Sequence, residues 1–600
     1  MNSKSTGTWL LLAAAMFVGV VLVDHFLHRA PAAPKPLLSD LRPAEVTSVQ
    51  VIPAAAPEIQ ADCSNGVWNL VKPISYPAQS AAVGALLDAL QRLKPASRIN
   101  ASELSHHADA NAEFGFANPL SLVLRQGQDQ WRVLVGRKTA PGDQVYLRVV
   151  GVEGVFVADA NWLKFIPRTA NDWRDTSLVE TEARAFDWIV VTNNTRTTGN
   201  QPRVLELQRN PTNHLWRMIQ PLPARANNDL INQALQNLQT ARVTQFVTDD
   251  PGADLSAYGL QPASLDLWLG RGTNLVAGLR LGRSQTNDSS QIFAKCEDWK
   301  TIMTTARDPL SPWYGPVNDF RDPYLLDLTA PVAEISVRGA RNFTLQRHGT
   351  NWQAAGETFP VDSGLVQQFI QALARLRISD FVKDVVTQPD LAAYGLTNPV
   401  REITLRSALG DTNAIIARLL FGATRTNEVF VRRADEDYVY AIASNDLSRL
   451  PEAGWQFRER RIWNFGDNDV KEITIHQNGK TRQLIRNSPN QWSLAPGSQG
   501  IINPPALEET AYRLGQMDAY GGWVAHDVTN AAPYGFKPDN LSITVALKDG
   551  KRCTVDFGGL LPPETVLASV ALDGERWIFI FPPTLYQLVM SYLTIPANVP

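Results

Sequence analysis

Cysteine is nearly missing from this 600-residue chain, which has three: Cys63, Cys296 and Cys553. They lie far apart with no Cys-x-x-Cys spacing. That excludes a disulfide framework and a cysteine zinc site, and leaves buried structural thiols as the expectation. An excess of one charge is also missing. With 56 Lys+Arg against 59 Asp+Glu and a formal net charge of −3, there is no basic footprint for nucleic acid. Catalytic signatures are lacking too: there is no Gly-x-Ser-x-Gly elbow, no His-Glu-x-x-His and no phosphate loop ending in Gly-Lys-Ser/Thr. The stretch from Gly278 to Ser284 has the wrong spacing for such a loop. No catalytic residue, metal ligand or cofactor is assigned, and the chain reads as a non-enzyme.

What is present is repetition. An aromatic-Gly-Leu/Phe motif, closely followed by proline, occurs at Phe114-Gly115, Tyr258-Gly259, Tyr394-Gly395 and Tyr534-Gly535. Trp68 precedes its motif by 46 residues (114 − 68), and Trp216, Trp352 and Trp492 precede theirs by 42 (258 − 216, 394 − 352, 534 − 492). Such register over long distances points to one folding unit copied four times. The tryptophans are expected in the core. Within the motif, Asp254 or Asp390 caps a short helical turn, glycine takes the left-handed conformation that ends it, and proline prevents continuation.

The pattern inside a unit predicts an α+β fold. Short alternating strands precede and carry the tryptophan, and an amphipathic helix follows, with Val83, Leu86, Leu87 and Leu90 or Val366, Phe369, Ile370 and Leu373 on one face. After the motif come further strands, one ending at Gly136, Gly282, Gly422 or Gly558, and a short terminal helix. The expected architecture is four tandem units, 46–182, 183–329, 330–467 and 468–600, each an antiparallel sheet packed with helices and each burying its own core.

Residues 9–23 carry no charge, and at about 1.5 Å per residue they span roughly 22 Å, short of the ~30 Å hydrocarbon core unless Phe26 and Leu27 join. We read 1–8 as a short cytoplasmic tail, 9–27 as a transmembrane signal anchor and 28–45 as a Pro/Ala-rich stalk. The bulk of the chain would then lie in the periplasm, outside the inner membrane.

The tryptophan strand, amphipathic helix, Tyr-Gly-Leu-x-x-Pro motif, strand ending in Leu-Gly and later Tyr-Val-Arg strand together resemble the bacterial domain of unknown function DUF4340, from about Val46 onward. The third copy (Trp352, 394–399, 420–422, 429–432) fits best, whereas the fourth has Leu567-Ala-Ser569 in place of the arginine region. The resemblance implies a membrane-anchored envelope protein encoded beside ABC-type permease subunits and gliding-like auxiliary proteins. Those would be its partners, and it would act as a scaffold or auxiliary subunit through protein–protein binding. The alternatives are an envelope hydrolase or glycan-binding protein with a site between repeats, and a plain structural spacer.

Four less regular tryptophans, Trp131, Trp268, Trp313 and Trp523, are candidates for a partner surface. The His106-His107-Ala-Asp109 cluster reads as a solvated loop, because adjacent side chains point apart in regular structure. Asp249, Asp250 and Asp254 lack the spacing of a calcium loop. The run from Arg458 to Arg461 reads as a solvated junction between repeats.

Overall fold

The computed structural model describes residues 3–27, 35–107, 109–179, 185–198, 201–562 and 565–595. Beyond the first helix, Ser3–Leu27, it contains four antiparallel sheets, each with a few helices. In the first module the strands are β1 (Val46–Ile52), β2 (Ile59–Ser64), β3 (Val67–Lys72), β4 (Tyr76–Pro77), β5 (Pro95–Ile99), β6 (Leu120–Gln126), β7 (Asp129–Lys138), β8 (Gln144–Val149) and β9 (Val155–Asp159). Their order is β4-β3-β2-β1-β6-β7-β8-β9-β5. The chain meanders outward to one edge, crosses by the helix Ser80–Gln91 to the other edge, and then fills the centre by pairing β6 with β1. The second module repeats this order, and the third and fourth repeat it without an equivalent of β4.

The two faces of each sheet are covered differently. In the first module Val83, Leu86, Leu87 and Leu90 of the helix pack with Leu122, Leu124 and Leu147 into the main core. Tyr146 beside Leu147, and Val155 beside Phe156, point to the other face, as strand alternation requires. There they meet Phe114 and Phe116 of the motif. The same arrangement recurs where Tyr394 meets Phe430 at 4.8 Å between ring centroids and Tyr258 meets Phe293 at 5.0 Å. The motif is thus a small lid over the sheet face that the helix leaves bare.

Its glycines sit at φ of +79 (Gly115), +67 (Gly259), +68 (Gly395) and +78° (Gly535), all left-handed. A Cβ on Gly395 would also lie 2.8 Å from the backbone nitrogen of Ala423. Replacing Gly395 with valine is expected to destabilise the third module by roughly 1–3 kcal/mol through backbone strain. Identical melting temperatures for variant and parent would refute this account of the turn.

Two expectations are corrected here. Of the segment read as a stalk, 28–34 lie outside the described residues, while Leu38 and Leu41 are buried in the first module's core, so packed chain begins before Val46. The four modules also do not stand alone: they group as two compact units, 1–321 and 322–600. In the second unit the third and fourth modules share one continuous core, with Phe359 edge-on to Trp577 at 5.6 Å. Among the described residues no helix is long and apolar enough to cross a membrane.

Candidate functional site

The polar side chains that looked most like chemistry are engaged locally. His107 Nδ1 lies 2.6 Å from Glu113 Oε2, and Asp109 caps the turn Ala110–Phe114 by accepting from the Ala112 amide. Asp250 accepts from the Gly252 amide and Asp254 from the Ser256 amide. Among the described residues no group of three or more His, Cys, Asp or Glu side chains converges as a metal site. Cys296 donates to the Leu178 carbonyl at 2.9 Å, and burial pushes its thiol up to about 12. Cys553 is buried as well, whereas Cys63 is only half-buried.

The arrangement that does bring distant residues together lies at the seams between modules. In the first unit Arg174 is 0 % exposed. Its guanidinium lies 4.3 Å from the ring centroid of Tyr76 in the first module and 3.9 Å from that of Phe246 in the second. Nη2 donates to Asp249 Oδ1 at 2.7 Å and to Thr301 Oγ1 at 2.6 Å, and Nη1 donates to Asp249 Oδ2 at 3.1 Å. Although burial works the other way, the hydrogen bonds from Arg174 and Thr301 hold the Asp249 carboxyl below its ordinary value. Burial also raises the Tyr76 hydroxyl well above its own. One cation thus satisfies a carboxylate and two aromatic faces across the seam, a desolvated geometry in which cation–π contact alone reaches about 2 kcal/mol.

The second unit uses the same device. Arg458 lies 4.4 Å from the Trp577 ring, 5.7 Å from Phe359 and 5.8 Å from Trp523, and donates to Asp573 at 3.0 Å. Trp523 in turn donates its indole N–H to the carbonyls of Arg458 and Glu459, each at 3.3 Å. Arg458 is therefore a buried rivet and not part of a solvated junction.

The signal for this device was present and unread. Trp173-Arg174-Asp175, Phe320-Arg321-Asp322 and Phe457-Arg458-Glu459 share an aromatic-Arg-acidic pattern, with the arginines 147 (321 − 174) and 137 (458 − 321) residues apart. Each arginine also forms a backbone bridge to the chain ten or nine residues beyond the repeated tryptophan, at Ala78, Ala226 or Val361.

The tryptophans divide accordingly. Trp68, Trp216, Trp352 and Trp492 are buried in the cores. Of the four assigned to a partner surface, Trp313 is 1 % exposed and Trp523 is buried in the seam, so neither is available to a partner. Both indoles fill interior space that the periodicity of the repeat does not reveal. Trp131 and Trp268 are half-buried, the latter lying beneath Arg280 at 5.8 Å.

Beside the Arg458 seam a polar cleft of about 990 Å³ opens between the edge strand Asn351–Ala354, the return at 357–361 and the linker at 459–461. Four carboxylates, Glu357, Asp362, Glu459 and Asp518, line it together with Arg460 and Arg461. Two of the four are committed: Asp518 pairs with Arg461 at 3.0 Å, and Asp362 caps the helix Ser363–Ala374 through the Gly364 and Leu365 amides.

The family model described as Domain of unknown function (DUF4340) matches residues 68–213, 216–399 and 352–538. No curated protein and no solved structure matches the chain.

Proposed function

The chain belongs to the DUF4340 family, and from that premise we propose that it is a membrane-anchored extracytoplasmic scaffold or auxiliary subunit of an ABC-type transport or gliding-like envelope assembly. The observation that carries the reading is the first helix. Trp9, Leu11, Met16 and Phe17 are each at least 70 % exposed. At 3.6 residues per turn they point in different directions, so no single face of the protein covers them. An apolar helix uncovered all round suits a lipid surrounding better than water. The helix Ser3–Leu27 runs unbroken through Phe26 and Leu27, so the segment 9–27 extends about 28 Å, close to the ~30 Å hydrocarbon core. The rest of the chain supports a binding role. Its recurring polar groups are spent on capping turns and riveting modules, and a repeated array offers successive similar surfaces over which weak contacts add.

Two measurements test the proposal. The full chain is expected to stay with the membrane fraction through alkaline carbonate washing, and a variant lacking residues 1–27 is expected to become soluble. Recovery of the full chain in the soluble fraction would refute the anchor. Crosslinking in native membranes followed by mass spectrometry is expected to recover a permease or auxiliary subunit saturably. Repeated recovery of the protein alone, with a working positive control, would refute the scaffold and move weight to the hydrolase or glycan-binding alternative, for which the cleft beside Arg458 is the place to look.

A further inference from the structure

The first two modules show what belongs at the edge of this sheet. In the first, Tyr76 and Pro77 add a strand to β3, pairing with Leu70 and Asn69, and the Trp68 carbonyl accepts from the Ala78 amide at 3.0 Å. In the second, Ala224 and Arg225 pair with Met218 and Arg217. The third module has no such strand: its sheet ends at Asn351–Ala354. Among the described residues the one backbone bond from that strand to the return is from the Glu357 amide to the Ala354 carbonyl, at 3.2 Å.

The outward-facing groups of this edge follow from the ladder. The Trp352 amide points outward, since it donates to Ser363 Oγ at 3.3 Å. Alternation in an antiparallel pair then turns the Trp352 carbonyl and the Ala354 N–H outward too. The cleft lies along this edge, with the return forming its opposite wall. The Glu357 and Glu459 carboxylates are exposed in it, and the cleft's four carboxylates outnumber its two arginines.

We propose that this cleft accepts an extended peptide segment bearing lysine or arginine, which completes the third module's sheet as the chain's own residues 76–77 and 224–225 complete the first two. The segment pairs with the Trp352 carbonyl and the Ala354 amide, and its cationic side chains meet Glu357 and Glu459. Backbone pairing supplies affinity and side-chain contacts supply selectivity, as in other strand additions. The inference rests on the scaffold reading only for who supplies the segment, and its test needs no membrane.

The probe is a fluorescein-labelled peptide copying residues 221–227 (Pro-Leu-Pro-Ala-Arg-Ala-Asn), which carries the occupant of the second module's edge. Fluorescence anisotropy with the purified full chain is expected to show saturable binding. N-methylating the peptide's two alanines, or replacing its arginine with glutamate, is expected to weaken binding about tenfold. Ala354→Pro removes an outward donor and is expected to do the same. Because proline also fixes φ within the strand, the exposed pair Glu357→Lys/Glu459→Lys is the second variant, checked for an unchanged melting temperature. Absence of saturation, equal binding of the N-methylated peptide, or full affinity in the Glu357→Lys/Glu459→Lys chain would each overturn the proposal. None of these outcomes bears on whether the anchored protein recovers a membrane partner.

Discussion

Glu508→Ala is expected to cost the second unit about 3–5 kcal/mol, the penalty for removing one partner of a buried ion pair. Arg486 lies buried in the fourth module, and its Nη2 and Nε donate to Glu508 at 2.5 and 3.0 Å. The same carboxylate accepts the indole N–H of the repeated tryptophan Trp492 at 2.8 Å. Truncation would leave a guanidinium with little solvent access, losing its bidentate partner, and an indole without its acceptor. Calorimetry of the full chain should show one transition lowered by roughly 10 °C.

The pH dependence has a definite sign. Hydrogen bonding from Arg486, opposed by burial, holds the Glu508 carboxyl below its ordinary value. A depressed folded value means stabilisation that is complete above the unfolded pKa of about 4.3 and is lost as pH falls through the folded value. Glu508→Gln should therefore destabilise at pH 7 and remove part of the acid sensitivity that sets in as pH falls below the ordinary carboxyl range. Parallel acid-unfolding curves for Glu508→Gln and the parent would contradict this assignment.

At the seam of the first unit, removing the carboxylate should do more harm than removing the cation. Asp249→Ala strands the guanidinium of Arg174, which is 0 % exposed. Arg174→Met leaves Asp249, whose side chain is 39 % exposed and can be hydrated. We expect about 2–4 kcal/mol for Asp249→Ala, below the fully enclosed case because water screens the pair. Arg174→Met should cost less, and the double variant less than the sum, with a coupling of about 1–3 kcal/mol. Amide exchange at Val243, whose N–H donates to the Thr176 carbonyl at 2.7 Å across the seam, should quicken in Asp249→Ala. Equal losses in the two single variants, or additivity in the double, would show that the pair is not coupled.

Much of the fold was legible because it is imposed locally. A left-handed glycine ending a capped turn is dictated by sterics within a few residues, so the four motifs are visible as strings. The stripe of Val366, Phe369, Ile370 and Leu373 follows helical period, and all four are buried. The cleft was not legible, since it arises from a strand that is missing in the third module while its flanking residues look unremarkable. Nor was the depth of Trp313 and Trp523, whose burial depends on chain far away in sequence: Trp523 packs on Trp577 at 5.0 Å between ring centroids.

The sequence by itself determined the number of modules, their antiparallel α+β character, the turns between their halves and the family, because each follows from short-range periodicity and steric rules repeated at fixed spacing. Only the tertiary structure decided that the modules pair into two units, that Arg174 and Arg458 are buried rivets, and which sheet edge is left open. An arginine is hydrated or buried according to whether aromatic rings and a carboxylate arrive from elsewhere in the chain to replace its water, and Asp249 lies 75 residues from Arg174 and Asp573 lies 115 from Arg458.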